Sequence, residues 1–273
     1  MEFHDENLER FEVEGAALPQ NPNGQDWVEH DGVRLWYTTY YGTGPTVVLL
    51  HGGLGHSGNW SYQVPVLIRG GYRVILMDSR GHGRSTRDAR PFSYELMASD
   101  VLGVMNALRV EKASLVGWSD GACVALVLAA MAPLRVRGVF FFACNMDPSG
   151  VLPIEASPIL NRCFSRHAKD YAGLSATPQL FQDLVTDVSL MQKTQPNYSA
   201  EDLTKVSVPV AIVHSERDEF IRREHAEYLA AVIPGAELVL LDDVSHFAPL
   251  QKPDLFGAAI LKFLEQVHTI DEL

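Results

Sequence analysis

Short apolar runs alternate with helical periodicity along most of the chain. Thr46–Leu50, Arg73–Met77, Ala113–Val116, Gly138–Ala143, Val210–Val213 and Glu237–Leu241 are rich in Val, Ile, Leu and Phe. They are continuous and do not alternate, which is what strands buried on both faces require. Between them, Trp60–Arg69, Tyr94–Leu108, Gly121–Met131, Arg222–Val232 and Pro253–Val267 carry helical spacing. Repetition of strand, helix and strand predicts an α/β fold, a mostly parallel central sheet flanked by helices. Ahead of it, Trp27–His30 and Arg34–Tyr40 flank Asp31-Gly32 and predict a hairpin.

One interval breaks the rhythm. From Asn145 to Val206 no strand pattern occurs, while Ser157-Pro158 and Thr177-Pro178 each offer an N-cap followed by proline. Leu180, Phe181, Leu184, Val185, Val188 and Met191 then fall on one helical face, and Ser199 with Asp202 marks another helix start. The expected organisation is a polar N-terminal extension (1–24), a core domain (25–144 and 207–273) and an inserted helical cap (145–206). The apolar face of the cap is either a pocket roof or packing within the cap itself.

Composition narrows the function. With 47% hydrophobic and 21% charged residues, 273 residues can bury a core without staples. A net charge of −12 opposes nucleic-acid binding. Cys123, Cys144 and Cys163 form no CxxC or zinc spacing, so no metal is expected, and Cys123 and Cys144, which lie in apolar runs, read as buried thiols. The acidic N-terminus has no secretory pattern, and the longest apolar helix, Ala122–Ala132, is too short for a bilayer. The C-terminal Asp271-Glu272-Leu273 carries no retention meaning without such a signal. A cytoplasmic protein without membrane partners is expected, its oligomeric state left open.

The chemistry gathers at strand ends. Gly117-Trp118-Ser119-Asp120-Gly121 follows one predicted strand and opens a helix. G-x-S-x-G arises by chance in roughly one chain in ten of this length, so the strand–turn–helix setting makes it a nucleophile elbow. Ser119 is the candidate nucleophile, and glycines at 117 and 121 relieve collisions in the turn. His246, after the last strand, is the candidate base. Asp218, after the preceding strand, is the candidate acid, with Glu216 and Glu219 as flanking alternatives. The oxyanion donors are the backbone N–H of Asp120 and of Gly53 in His51-Gly52-Gly53-Leu54-Gly55, with Leu54 as alternative to Gly53. His51 could serve as a base, but at a strand end before glycines it reads rather as a structural hydrogen-bonder. Leu54 and Trp118 are candidate substrate contacts, although Trp118 could equally pack beneath the elbow. The Asp120 carboxylate either caps its helix or attracts a cationic substrate group.

On these residues the chain resembles the α/β-hydrolase superfamily from Trp27 to Val267. The matching pieces are His51-Gly52-Gly53, Asp78-Ser79-Arg80-Gly81-His82-Gly83-Arg84-Ser85, the elbow, Asp218 and His246-Phe247. The elbow and the Asp78–Ser85 run are similar to small bacterial esterases, enol-lactonases and biphenyl-hydrolase-like or valacyclovirase-type enzymes. The resemblance implies an α/β-hydrolase fold and no cofactor, with Asp78–Ser85 as a structural loop. Many relatives have glycine at the positions of Ser215 and Ser245 and glutamate near Gln251. Serine at 119 excludes the epoxide-hydrolase and dehalogenase branches, which use aspartate, and the loops differ from the GGSWGG and HGGPG of proline iminopeptidases. The expected function is hydrolysis of a small carboxylic ester or lactone through an acyl-enzyme. Carbon–carbon bond hydrolysis or cofactor-free perhydrolysis is the alternative on the same residues. A ligand receptor using the pocket under the cap is the non-enzyme alternative.

Overall fold

A computed structural model describes residues 5–15 and 17–271. Met1–His4 and Ala16 of the expected extension, and Glu272-Leu273 of the tail, lie outside the described residues. The apolar runs form an eight-stranded sheet: β1 Gly24–His30, β2 Val33–Tyr40, β3 Thr46–Leu50, β4 Arg73–Met77, β5 Ala113–Trp118, β6 Val136–Phe142, β7 Val210–Arg217 and β8 Glu237–Ser245. Their spatial order is β1-β2-β4-β3-β5-β6-β7-β8. The pairs β1/β2 and β2/β4 are antiparallel and the other five are parallel. The β1–β2 hairpin turns on Asp31 and Gly32, at φ 46° and 81°. Two successive positive φ values match the right-handed twist of the flanking strands.

Helices cover both faces of this sheet. They are α1 Glu6–Glu14, α2 Gln63–Arg69, α3 Tyr94–Ala107, α4 Asp120–Met131, α5 Pro158–Leu174, α6 Phe181–Thr194, α7 Ala200–Leu203, α8 Arg223–Val232, α9 Ala248–Gln251 and α10 Pro253–Asp271. Alternate residues of each central strand feed opposite layers. Val48, Leu50, Leu115, Val139 and Phe141 join α3, α4 and α8, while Val47, Leu49, Val116, Phe140 and Phe142 join α2 and α10. Phe140 and Phe142 meet Phe256 of α10 edge-on, with centroids 5.5 and 4.7 Å apart. Each such side chain contributes about 1.5–3 kcal/mol by burial. Among the described residues no helix is long and apolar enough to cross a membrane.

The elements depart from expectation where pairing or sterics decides. β5 runs on to Trp118 because Gly117 and Trp118 still pair with Phe141 and Phe142. β6 starts at Val136 and stops before Ala143, whose φ of 57° ends the extended backbone. α6 starts at Phe181, because Thr177 makes no capping bond and Pro178–Leu180 form only a 3-10 turn. Ser157 does cap α5, accepting from Leu160 N at 3.1 Å, and Ser199 and Asp202 form a reciprocal capping box. Val151 forms an isolated bridge with Ile221.

The N-terminal segment is not merely a polar extension. Asp5 caps α1, and Leu8 and Phe11 are wholly buried against α5 and α9. Arg162 of α5 pairs with Glu9 and Glu12 at 3.2 and 3.5 Å. Two apolar residues in an acidic stretch suffice to dock one short helix.

Candidate active site

Ser119 sits at the tip of a turn that only this residue pattern allows. Its φ of 55° and ψ of −128° lie outside the regions favoured by side-chain-bearing residues. Such a conformation costs of order 1–3 kcal/mol and persists only when its surroundings impose it. Here Ser119 N donates to Phe142 O at 2.8 Å, and Ser119 O accepts from Ala122 N at 2.7 Å. A side chain at Gly117 would collide with the backbone of Gly121 and Ala122, and one at Gly121 with the Leu50 carbonyl. The turn therefore folds β5 sharply into α4, leaving Ser119 half-buried at the helix N-terminus.

His246 and Asp218 meet although 28 residues separate them. Both carboxylate oxygens lie 3.1 Å from His246 Nδ1. Asp218 Oδ1 also accepts from the amides of Phe220 and Ile221, each at 2.9 Å, so the loop backbone fixes the carboxylate. With Nδ1 donating to Asp218, Nε2 keeps a lone pair and can take a proton. Burial disfavours the imidazolium. The Asp218 charge and hydrogen bond outweigh burial and raise His246 above its ordinary pKa of 6.5. The ring packs against Trp118 and Phe142, with centroids 6.2 and 6.4 Å apart, placing it beside the elbow. Among the described residues no hydrogen bond joins Ser119 Oγ to His246; such bonds tighten when substrate binds.

The flanking glutamates differ from each other. Glu216 is exposed and accepts from Asp243 N at 2.8 Å, away from the imidazole. Glu219 is half-buried and accepts from the backbone N of His246 at 2.9 Å. It anchors the histidine's main chain, and burial raises its pKa. Gln251 takes the Ser245 amide and hydroxyl at 2.7 and 2.9 Å, securing the strand end before His246.

The loop after β3 lies across the elbow. A Cβ on Gly52 would stand 3.1 Å from Ser119 Cβ, and one on Gly53 would stand 2.5 Å from Asp120 Oδ2. Leu54 is half-buried at φ 62° against the apolar cluster that includes Val188. His51 donates from Nδ1 to Gly52 O at 2.7 Å and accepts the Ser79 amide at 2.9 Å. Burial lowers it to about 4, so it stays neutral and structural. Trp118 is buried against Trp60 and Phe247 behind the elbow, a packing position.

Asp120 neither caps its helix nor stands free. Its carboxylate accepts from Tyr94 Oη at 2.8 Å and Gln192 Nε2 at 3.0 Å. Burial raises its pKa, and the two hydrogen bonds hold it back. Nothing local in the sequence signals either partner, since Gln192 arrives from α6, 72 residues away. The Asp78–Ser85 loop is a buried scaffold, with Arg80 held by Asp100 at 2.9 and 2.6 Å. Two surface clefts, of about 760 and 460 Å³, lie elsewhere. The larger is walled by Trp36, Arg84, His56, Arg166 and Asp170 and the smaller by Arg87 and Asp187; neither is lined by Ser119 or His246.

A mostly parallel sheet with a serine elbow and a paired Asp–His at neighbouring strand ends is the arrangement of an α/β-hydrolase fold. A family model of that description, alpha/beta hydrolase fold, matches residues 45–179. The chain is an α/β-hydrolase-fold protein and a serine hydrolase of that fold. It is 28% identical over 246 residues to serine hydrolase BPHL of Mus musculus, covering 86% of this chain and 84% of that protein. It is 27% identical over 251 residues to 2-hydroxy-6-oxononadienedioate/2-hydroxy-6-oxononatrienedioate hydrolase 2 of Pseudomonas putida, covering 81% and 87%. Among solved structures, Est816, an N-acyl homoserine lactone degrading enzyme, matches with TM-score 0.67 and 28% identity over 87% of this chain and 100% of that one.

Proposed function

We propose that the chain hydrolyses a small carboxylic ester or lactone through an acyl-enzyme on Ser119. His246 Nε2 takes the hydroxyl proton as Oγ attacks the carbonyl, and Asp218 holds the imidazole and stabilises its charge. The oxyanion is received by the amides of Asp120 and Gly53, with Leu54 as the alternative second donor. His246 then protonates the leaving oxygen. Water, activated by the same histidine, attacks the acyl carbon and restores the serine. The 145–206 segment acts as a cap whose Leu184, Val188 and Met191 roof the site and set acyl selectivity.

The observation that carries this reading is the His246–Asp218 pair, both oxygens at 3.1 Å, beside a serine held at φ 55°. A panel of p-nitrophenyl esters of increasing acyl length, with lactones and aminoacyl esters, tests it. Turnover abolished by a serine-directed phosphonate supports the enzyme; binding of panel compounds without turnover supports the receptor alternative. The lactone arm follows the name of the Est816 structure. A second reading, carbon–carbon bond hydrolysis on the same residues, follows the name of the Pseudomonas putida relative. Cleavage of a vinylogous 1,5-diketone without esterase activity would favour it.

A further inference from the structure

The loop that follows β3 is fixed at three places. At its start, His51 bridges the Gly52 carbonyl and the Ser79 amide. In its middle, Ser57 donates its amide and hydroxyl to buried Asp78 at 2.8 and 2.6 Å. Both anchors belong to the loop that follows β4. The third does not: His56 Nε2 donates to Asp170 Oδ2 of α5 at 3.2 Å, across 114 residues.

The chemistry of this third contact is one-directional. His56 Nδ1 accepts the Gly58 amide at 3.0 Å, so the proton of the neutral ring must sit on Nε2 and point at Asp170. The His56 amide donates to Asn59 Oδ1 at 2.9 Å, and the Asn59 amide returns to His56 O at 3.0 Å. Residues 56–59 thus form a closed turn held from outside at two points, to Asp78 through Ser57 and to α5 through the His56 imidazole. His56 and Asp170 are both more than nine-tenths buried, with side chains 8% and 9% exposed. Burial opposes the Asp170 charge, yet hydrogen bonds from His56 and Arg166 bring its pKa down to about 2. Arg166 binds Asp170 through two nitrogens and reaches Val13 O of α1 at 3.2 Å. A Cβ on Gly15 would stand 2.9 Å from the guanidinium carbon, so α1 closes over this arginine. A continuous chain of contacts therefore runs from α1 through Arg166, Asp170 and His56 to the loop holding Gly53.

We propose that Asp170 is a positioning residue for the oxyanion loop, so that the oxyanion donors are fully aligned only when α5 is seated on the core. This rests on the reading of Ser119 as nucleophile and of the Gly53 loop as oxyanion donor. Asp170 touches no reacting atom. It acts by holding His56, and its loss leaves substrate binding intact while loosening a donor needed in the transition state.

The test uses the full chain, with p-nitrophenyl acetate for turnover and a fluorophosphonate for the rate of Ser119 modification. Asp170→Ala removes the acceptor, and Asp170→Asn keeps an acceptor oxygen. His56→Asn keeps an oxygen for the Gly58 amide while deleting the Nε2 donor. We expect Asp170→Ala and His56→Asn each to lower kcat and the modification rate about 10–30-fold, less than outright loss of an oxyanion donor. KM should stay within about threefold, and Asp170→Asn should keep kcat within about threefold of wild type, because hydrogen-bond geometry is retained. The double variant should be no worse than the poorer single one, as expected for two residues acting through one bond. Melting temperatures identify variants that fail to fold. If Asp170→Ala does, His56→Asn decides, since its turn cap survives. Wild-type kcat in folded variants, additive losses, or an effect on KM alone would overturn the proposal. If wild-type Ser119 reacts normally and the variants react equally fast, only this inference falls. If wild-type Ser119 does not react, the nucleophile reading falls and this inference with it.

Discussion

The two sides of the site are held by different kinds of contact. On the sheet side, main-chain groups fix the acid and the elbow: the amides of Phe220 and Ile221 hold Asp218, and Phe142 O holds the amide of Ser119. Ser79 N likewise holds the His51 ring. Residues 150–152 join the loop after Asp218 by backbone, but from α5 and α6 it is side chains that bridge to the elbow and the loops flanking the site. Gln192 reaches Asp120 at 3.0 Å, His56 reaches Asp170 at 3.2 Å, and Arg87 reaches Asp187 at 2.5 Å. Backbone-held groups cannot shift without breaking strand ends, whereas side-chain bridges can open and reclose by rotation. The sheet is therefore suited to fix the acid, histidine and elbow, and the helical segment to adjust the loop after β3 and what reaches the site.

The largest effect should come from the sheet side. Ser119→Ala is expected to lower kcat by on the order of 10⁴-fold or more, with folding intact by circular dichroism. Near-wild-type turnover in a folded sample would break the comparison at its root. Asp218→Asn should follow, with a loss of roughly 10³ to 10⁴-fold from the wrong tautomer and lost imidazolium stabilisation. Glu216→Gln and Glu219→Gln should cost less than about tenfold, because one is exposed and the other keeps an acceptor oxygen for His246 N. A large loss in a glutamate variant alone would reassign the acid.

The pH profile sharpens the same point. As the proposed base, His246 must be neutral to accept the serine proton, and its pKa is raised above 6.5. The acid limb of kcat/KM should therefore have its midpoint above that value, activity rising with pH through it. Removing the Asp218 charge takes away the contribution that raises it, so the limb should move to lower pH in whatever activity Asp218→Asn retains.

Effects should shrink towards the helical segment. Asp120→Asn is expected to lower kcat/KM by about tenfold or less, equally on acetyl and aminoacyl esters, because Tyr94 and Gln192 already occupy the carboxylate. A loss confined to aminoacyl esters would mean that a cationic group displaces Gln192. Smallest should be Val188→Ala, whose Cγ1 lies 3.3 Å from where a Gly53 side chain would begin. It should shift the kcat/KM ratio between short and long acyl chains by about tenfold or less, at or below the low end of what one methylene contact is worth in a hydrophobic pocket. A change in melting temperature with no change in that ratio would reduce Val188 to packing.

The same division governs what could be read from the sequence. Strands buried on both faces, glycines that relieve a backbone collision and a capping serine such as Ser157 are local requirements, each visible within a few residues. Asp218 and His246 were legible because each follows a strand that the pattern predicts. By contrast, Tyr94 and Gln192 on Asp120, Asp170 on His56 and Glu219 on the His246 amide are contacts between distant segments without a local signature. Helix α1 escaped for a related reason: its buried residues, Leu8 and Phe11, are too few among acidic neighbours to establish a period. Thr177 shows the opposite error, a local signal offered and not used, because the 3-10 turn at Pro178–Leu180 delays the helix.

The most direct test of the central claim is covalent labelling of the whole protein with a fluorophosphonate, mapped by mass spectrometry and followed by p-nitrophenyl acetate turnover. The account predicts a single adduct on Ser119, with turnover lost in proportion to labelling and no adduct in Ser119→Ala. Full turnover with Ser119 modified, or an adduct on another residue that tracks the loss, would contradict it.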